Sequence, residues 1–264
     1  METNEERFSK PTLPHRERPV RLGSLLFTLV QPRPGFELAY NRWYERDHFY
    51  SGCLVGEYTI GGNRYVATRE CKAKRIGSGE RDLTKGSYLA LYWIEDEHHA
   101  DWDAWAVKTV NKLHAEGRMF KERDHVHTGL YRFGEEYNGP GSTMPIELAL
   151  DRFYGGIGAF IVELEAGKTP DDLASFLKGV EDPGDVALLA SPVPLNASRP
   201  GDVPASEGSH AIFLSFSVED PLDVWEQRYV PLAASIDASG IGRVSFASPF
   251  KSVIFGTDTY TDQL

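Results

Sequence analysis

The chain has 264 residues, 41% of them hydrophobic, 12% aromatic and 25% charged, which is enough apolar material to bury a sizeable core. A formal net charge of −11 argues against a nucleic-acid partner, because phosphate binding takes a basic stripe, and the run Lys72-Ala-Lys74-Arg75 reads as a solvated face among acidic neighbours. Cys53 and Cys71 make no disulfide framework, Met1 to Arg21 has no apolar signal core, and no run approaches the ~20 apolar residues of a membrane span. Together these predict a cytoplasmic protein with no membrane association.

In chain order, residues 1–21 are expected to be a mobile segment. Gly23 to Gln31 is a β-rich apolar run closed by Pro32 and Pro34. Phe36, Tyr40, Trp43 and Tyr44, at helical spacings, predict a helix to about Tyr50, ended by Gly52 and Gly56. Arg64 to Cys71 reads as a second strand, Arg75 to Gly86 as a polar loop, and Ser87 to Ile94 as a third strand. Glu95 to Gly117 is helical, with Asp101 as N-cap and Trp102, Trp105, Val110 and Leu113 on its buried face. His125 to Phe133 is a fourth strand, and the order so far is β-α-β-β-α-β.

Asn138-Gly-Pro-Gly-Ser142 marks a linker, and the same order then recurs. Gly158 to Leu164 is a strand, and Thr169-Pro170 caps a helix. A short strand, Asp185 to Ala190, is followed by a Pro/Ser loop from Ser191 to Gly208 and a strand from Ala211 to Ser217. Asp220-Pro221 opens a helix through about Ala238, and Val244 to Phe255 is the last strand. The third strands even end alike, Trp93-Ile-Glu-Asp96 against Ser217-Val-Glu-Asp220. Two unrelated α+β units would share all this only by coincidence. The expected architecture is therefore α+β: two tandem ferredoxin-like βαββαβ repeats, residues 22–134 and 155–264, joined by a linker at 135–154. Each bare sheet face would be covered by the other, packed sheet to sheet around a small-ligand interior.

The stretch Asn41-Arg-Trp-Tyr-Glu-Arg-Asp-His48, with Gly62-Asn-Arg-Tyr65 and Tyr88-Leu-Ala-Leu-Tyr92, resembles the EthD-like branch of the dimeric α/β-barrel superfamily. That group carries an Asn-x-Trp-Tyr-x-x-x-His signature on its first helix and an Arg-Tyr pair at its second strand. The resemblance covers Gly23 to Phe133 by motif and the second repeat by element order alone. It implies the barrel fold, within a superfamily of cyclases, isomerases, heme enzymes and cofactor-free oxygenases. The second repeat departs from the signature: Thr169-Pro-Asp-Asp-Leu-Ala-Ser-Phe176 has no histidine.

Tyr44 and His48, four apart, share a helix face, where an imidazole acts as acid or base and a phenol donates to an oxyanion. Asp47 is a weaker candidate to orient the ring. The bland alternative is a hydrogen-bonded helix-end histidine. His125 and His127 alternate on one strand and are expected to project together, to bind substrate or hold a metal, though no third ligand has matching spacing. Their alternative is a half-solvated edge, given the exposed-looking Lys121-Glu-Arg-Asp124 before them. Arg64 and Tyr65 point to opposite faces, and one must reach the uncovered side, where Arg64 would bind a carboxylate or enolate. Tyr88 and Tyr92 share a face suited to a ligand cavity, leaving Leu89, Leu91 and Trp93 for helix packing; the tyrosines filling the core is the alternative. His98-His99 reads as a surface turn. Nucleophile-elbow, phosphate-loop and dinucleotide motifs are absent.

The reading that follows is a cofactor-independent lyase, isomerase or cyclase that moves a proton on a small, largely apolar or aromatic oxygenated metabolite. His48 and Tyr44 would be catalytic, and Arg64, Tyr65, Tyr88, Tyr92, His125 and His127 would bind substrate, with no metal. The rivals are a heme- or metal-dependent oxidative enzyme of the same fold and a non-catalytic stress-response binder. The partner expected is a small organic ligand, with an outer homodimer left open.

Overall fold

The computed structural model describes residues 13–77, 83–194, 198, 201 and 209–264. Eight strands form one closed antiparallel barrel: β1 (Leu22–Pro32), β2 (Thr59–Val66), β3 (Tyr88–Glu95), β4 (Arg123–Asn138), β5 (Gly156–Leu164), β6 (Val186–Val193), β7 (His210–Ser217) and β8 (Gly242–Ser252). Around the barrel the order is β1-β3-β2-β8-β5-β7-β6-β4. The first four strands lie side by side as β4-β1-β3-β2 and the last four as β8-β5-β7-β6. One expectation changes here. The halves do not pack as separate sheets; they hydrogen-bond edge to edge, through β4 with β6 and β2 with β8. Unpaired edges leave backbone donors and acceptors bare, and closure removes them.

Helices cover the outside. α1 (Glu37–Trp43) continues as a π-helix over Tyr44–Leu54, past the Gly52 expected to end it; α2 is Arg69–Ala73 and α3 is His99–Ala115. α4 is Pro170–Leu177, and α5 (Val230–Ala238) follows a π-turn, Trp225–Tyr229. Strand two ends earlier than its alternation suggested, because Thr68 accepts from the Cys71 amide and caps α2. The Thr169-Pro170 start of α4 is a full capping box with Asp172. The N-cap of α3 is His98, and Asp101 lies in its first turn.

Period-two alternation sorts the side chains into an interior and an outer layer. Leu25, Phe27 and Leu29 of β1 join Leu89, Leu91 and Trp93 of β3, with Ile212, Leu214 and Phe216 of β7, in a filled core. Outside, Tyr40, Tyr44 and Phe49 of the first helix pack on Val30, Val66, Tyr88 and Tyr92. The second half has its own layer, Leu173, Trp225, Tyr229 and Ile236 on Phe160 and Phe213.

The expected linker is also reassigned. β4 runs on to Asn138, paired with Val186, and Ile146, Ala149, Leu150 and Tyr154 then enter the barrel core as a plug. Trp93 donates its indole N–H to the Ile146 carbonyl at 3.0 Å, and Asn63 donates to the Leu150 carbonyl at 3.0 Å. Residues 13–21, expected to be mobile, are held down: Arg18 is buried and donates to Glu136 and, at 2.7 Å, to Glu147. Residues 1–12 and most of the Ser191–Gly208 loop lie outside the described residues. Among the described residues no helix is long and apolar enough to cross a membrane.

Candidate functional site

A cavity of about 120 Å³ lies between the first half's outer sheet face and its helices. Leu26, Thr28 and Val30 of β1 and Arg123, His125, Thr128 and Leu130 of β4 form its floor. Tyr40, Trp43, Tyr44 and His48 wall one side, and α3 closes the other with Trp102, Val107 and Val110. An engineered apolar cavity of about 150 Å³ holds benzene. The space here is thus of single-ring size.

The π-helix sets the histidine. Its i→i+5 bonding widens each turn beyond four residues, so Tyr44, His48 and Cys53, at steps of four and five, all reach the cavity. The His48 ring stacks on Trp43 (centroids 4.7 Å, 16° apart) and meets Tyr44 edge-on at 5.2 Å. Gly52 makes the room: a Cβ there would stand 2.5 Å from Cε1 and Nδ1 of His48. Nδ1 is buried without a hydrogen-bond partner. Burial first, then the charges of Arg123 and His125, push His48 down from 6.5 to about 3, so the imidazole is neutral at physiological pH. Asp47 does not orient the ring; it binds Arg118 and Ser51.

Tyr44 donates to, or accepts from, the Tyr92 hydroxyl at 3.0 Å. Burial holds both phenols well above their usual range. Arg123 is buried, against the expectation from its charged neighbours. It is 9% exposed, its guanidinium sits 5.3 Å from the Trp43 ring, and Nη2 donates to His125 Nε2 at 3.0 Å. Since arginine only donates, Nε2 of His125 accepts, and its Nδ1–H donates to Thr128 Oγ1 at 3.3 Å.

The other predicted residues are placed elsewhere. Tyr88 and Tyr92 face the helices and Leu89, Leu91 and Trp93 face the interior, the reverse of the expected assignment. On the helix side Tyr88 meets the Tyr40 ring at 5.3 Å and Tyr92 hydrogen-bonds Tyr44. Arg64 is wholly buried behind Tyr44, not on the interior side. Its guanidinium lies 4.3 Å from the Tyr44 ring and 4.7 Å from the Tyr88 ring, donates to Asn41 at 3.0 Å and pairs with Glu45 at 3.6 Å. Tyr65 is in the barrel core, its hydroxyl unpartnered.

His125 and His127 do not project together. Leu29 pairs with His127 but Val30 with His125, so Val126 is an extra residue in β4. Such a bulge flips the alternation. His125 therefore reaches the cavity and His127 the barrel interior, where it meets Tyr131 and His210, a residue with no spacing signal. His98 stacks on Tyr58 at 3.7 Å and His99 binds Ser24 at 2.9 Å, so the second is not a plain surface turn. Arg75, read as solvated, instead donates to the carbonyls of Leu83, Thr84 and Gly86 and to Ser248.

Among the described residues no group of three or more His, Cys, Asp or Glu side chains is placed to hold a metal. A porphyrin does not fit a cavity whose volume matches one ring, and His125, the imidazole that could serve a metal there, has its Nε2 taken by Arg123.

The sequence matches no protein-family model and no curated protein. The fold is similar to solved structures. An anthrone oxidase-like protein aligns at 9% identity over 89% of this chain and 95% of its own, with a TM-score of 0.51. A structure named as a monooxygenase of Fusobacterium nucleatum subsp. nucleatum aligns at 9% identity over 88% and 94%, TM-score 0.50. One named as a chlorite dismutase aligns at 11% identity over 91% and 99%, TM-score 0.52. These neighbours are of the dimeric α/β-barrel type, and at such identity the likeness concerns the fold.

Proposed function

We propose that this chain is an enzyme that takes a proton from a small aromatic or otherwise apolar oxygenated molecule, with His48 as the acceptor. The observation that carries the reading is the neutral imidazole with a buried, unpartnered Nδ1 beside an apolar cavity. Such a nitrogen has lost its hydrogen bonds to water, and a ligand O–H or acidic C–H restores one. The resulting imidazolium, disfavoured by burial and by the Arg123 charge, is offset by the ligand anion it has just formed, and Arg123 steadies that anion. Tyr44, its hydroxyl shared with Tyr92, stands at the ring edge and aligns the ligand.

The oxidative class takes precedence over lyase, isomerase or cyclase chemistry. An electron-rich anion in an apolar pocket is open to oxidation by dioxygen, and an anthrone oxidase-like protein and a structure named as a monooxygenase share the fold. Heme-dependent chemistry is not proposed for this cavity, for the reasons of size and ligand geometry given above.

The architecture is read as a duplication of a ferredoxin-like unit, residues 22–134 and 155–264, standing in one chain for a homodimer. Its support is the shared strand order and a matching bulge: Ile161 pairs with Phe246 but Val162 with Val244, as at Leu29 and Val30. Only the first half carries the histidine, so one site per chain follows.

The test is a panel of single-ring phenols, hydroquinones and enolisable ketones, followed with an oxygen electrode and product analysis. His48→Gln should lower turnover by roughly 10² to 10⁴ while the circular dichroism is unchanged. A folded variant with undiminished turnover refutes the role of His48. Turnover without oxygen uptake returns the chain to non-oxidative proton transfer, and saturable binding without product makes it a binder.

A further inference from the structure

The barrel interior holds a second set of chemistry-bearing side chains, on the opposite face of β4 from the cavity. His127 Nε2 lies 2.7 Å from Tyr131 Oη, and the same oxygen lies 3.0 Å from His210 Nε2. His127 and Tyr131 come from β4 of the first half and His210 from β7 of the second. The two histidines are 2% exposed and Tyr131 is 0% exposed. The arrangement is built for: a Cβ on Gly129 would come 2.6 Å from the Tyr131 ring, so only glycine lets that ring lie back along its own strand. The bulge at Val126 turns His127 inward to join it.

We propose that His127, Tyr131 and His210 form a divalent transition-metal site, two imidazoles and a phenolate, suited above all to Cu²⁺. Imidazole nitrogen and carboxylate-type oxygen bind such ions at ~2.0–2.2 Å, so two ligands at right angles around one ion stand about 2.9 Å apart. The observed donor separations bracket that figure, and right-angled N and O ligation is the preference of Cu²⁺. Imidazole is a ligand of choice for copper, which also heads the affinity order of the first-row divalent ions. On binding, the Tyr131 O–H bond breaks, its oxygen bonds the ion as phenolate, and the proton leaves to solvent, with no change of oxidation state. The site is separate from the cavity around His48 and does not depend on the function proposed for it.

The experiment is titration of the purified full chain with Cu²⁺ alone, followed by visible absorption and electron paramagnetic resonance. One equivalent should bind, with a phenolate-to-copper charge-transfer band and hyperfine coupling to two nitrogens. Tyr131→Phe, which removes one hydroxyl, should abolish the band and weaken binding at least tenfold, and the double variant His127→Gln/His210→Gln should abolish stoichiometric binding. Circular dichroism checks each fold. Copper held on surface imidazoles, recognised by a spectrum unchanged in the double variant, overturns the proposal, as does a wild-type chain without the band or the two couplings. That wild-type result decides the matter even if the variants fail to fold.

Discussion

The depressed basicity of His48 makes stability depend on pH in a definable window. In the native chain the ring gains its proton only near pH 3, whereas in the unfolded chain it does so near 6.5. Between those values the unfolded state binds more protons, so stability is intact above 6.5 and declines as the pH falls towards 3. At pH 5 the unfolded chain is ahead by the proton's full binding energy over one and a half pH intervals, about 2 kcal/mol at ~1.4 kcal/mol per interval. Replacing His48 with Gln removes this contribution and leaves the others in place. Urea unfolding of wild type and His48→Gln at pH 8 and pH 5 measures it: the wild type should lose about 2 kcal/mol more than the variant over that interval. Equal losses in the two proteins would mean that the ring protonates normally when folded, and the neutral-base argument would fall with that result.

Gly52→Ala sets two effects against each other. Alanine is the better helix former by about 1 kcal/mol, but its Cβ would press on a ring already fixed between Trp43 and Tyr44. Overpacking costs typically 1–3 kcal/mol, so a net loss is expected; a melting temperature at or above wild type contradicts it. Arg64→Leu leaves Glu45 buried without its cation and should cost on the order of 3–5 kcal/mol in urea unfolding. A loss below about 1 kcal/mol would show that the guanidinium is dispensable behind Tyr44.

The strands were readable because alternation and β-branched runs are local signals, and so were the Tyr44–His48 pairing and the Thr169 cap. The errors have physical sources. Tyr88 and Tyr92 were assigned to the wrong face because alternation gives two faces but not which is inside. That was decided by Tyr44 and Tyr40, which supply polar and ring contacts on the helix side. A single extra residue, Val126, separated His125 from His127, and nothing in Val, His or Thr announces a bulge. Arg123 looked exposed because Lys121, Glu122 and Asp124 surround it in sequence; its partners are Trp43, His125 and the Phe120 carbonyl. His210 carries no local signal, because its contact to Tyr131 spans 79 positions.

The two seams of the barrel are unequal, and this bears on how the chain folds. β4 and β6 pair along eight positions, whereas β2 and β8 pair only at Tyr65–Ser252 and Val66–Lys251. β8 is also the last barrel strand to be synthesised, so the β2 edge stays open until everything before it has been made. A long-range pairing of so few bonds gives little return for the loop closure it requires. The segment after β8 adds to it: the Val253 amide donates to the Arg64 carbonyl, and the Arg69 amide to the Gln263 carbonyl. Barrel closure is therefore expected to be the late step, and the amides of this narrow seam should be the first in the sheet to exchange their hydrogens with solvent.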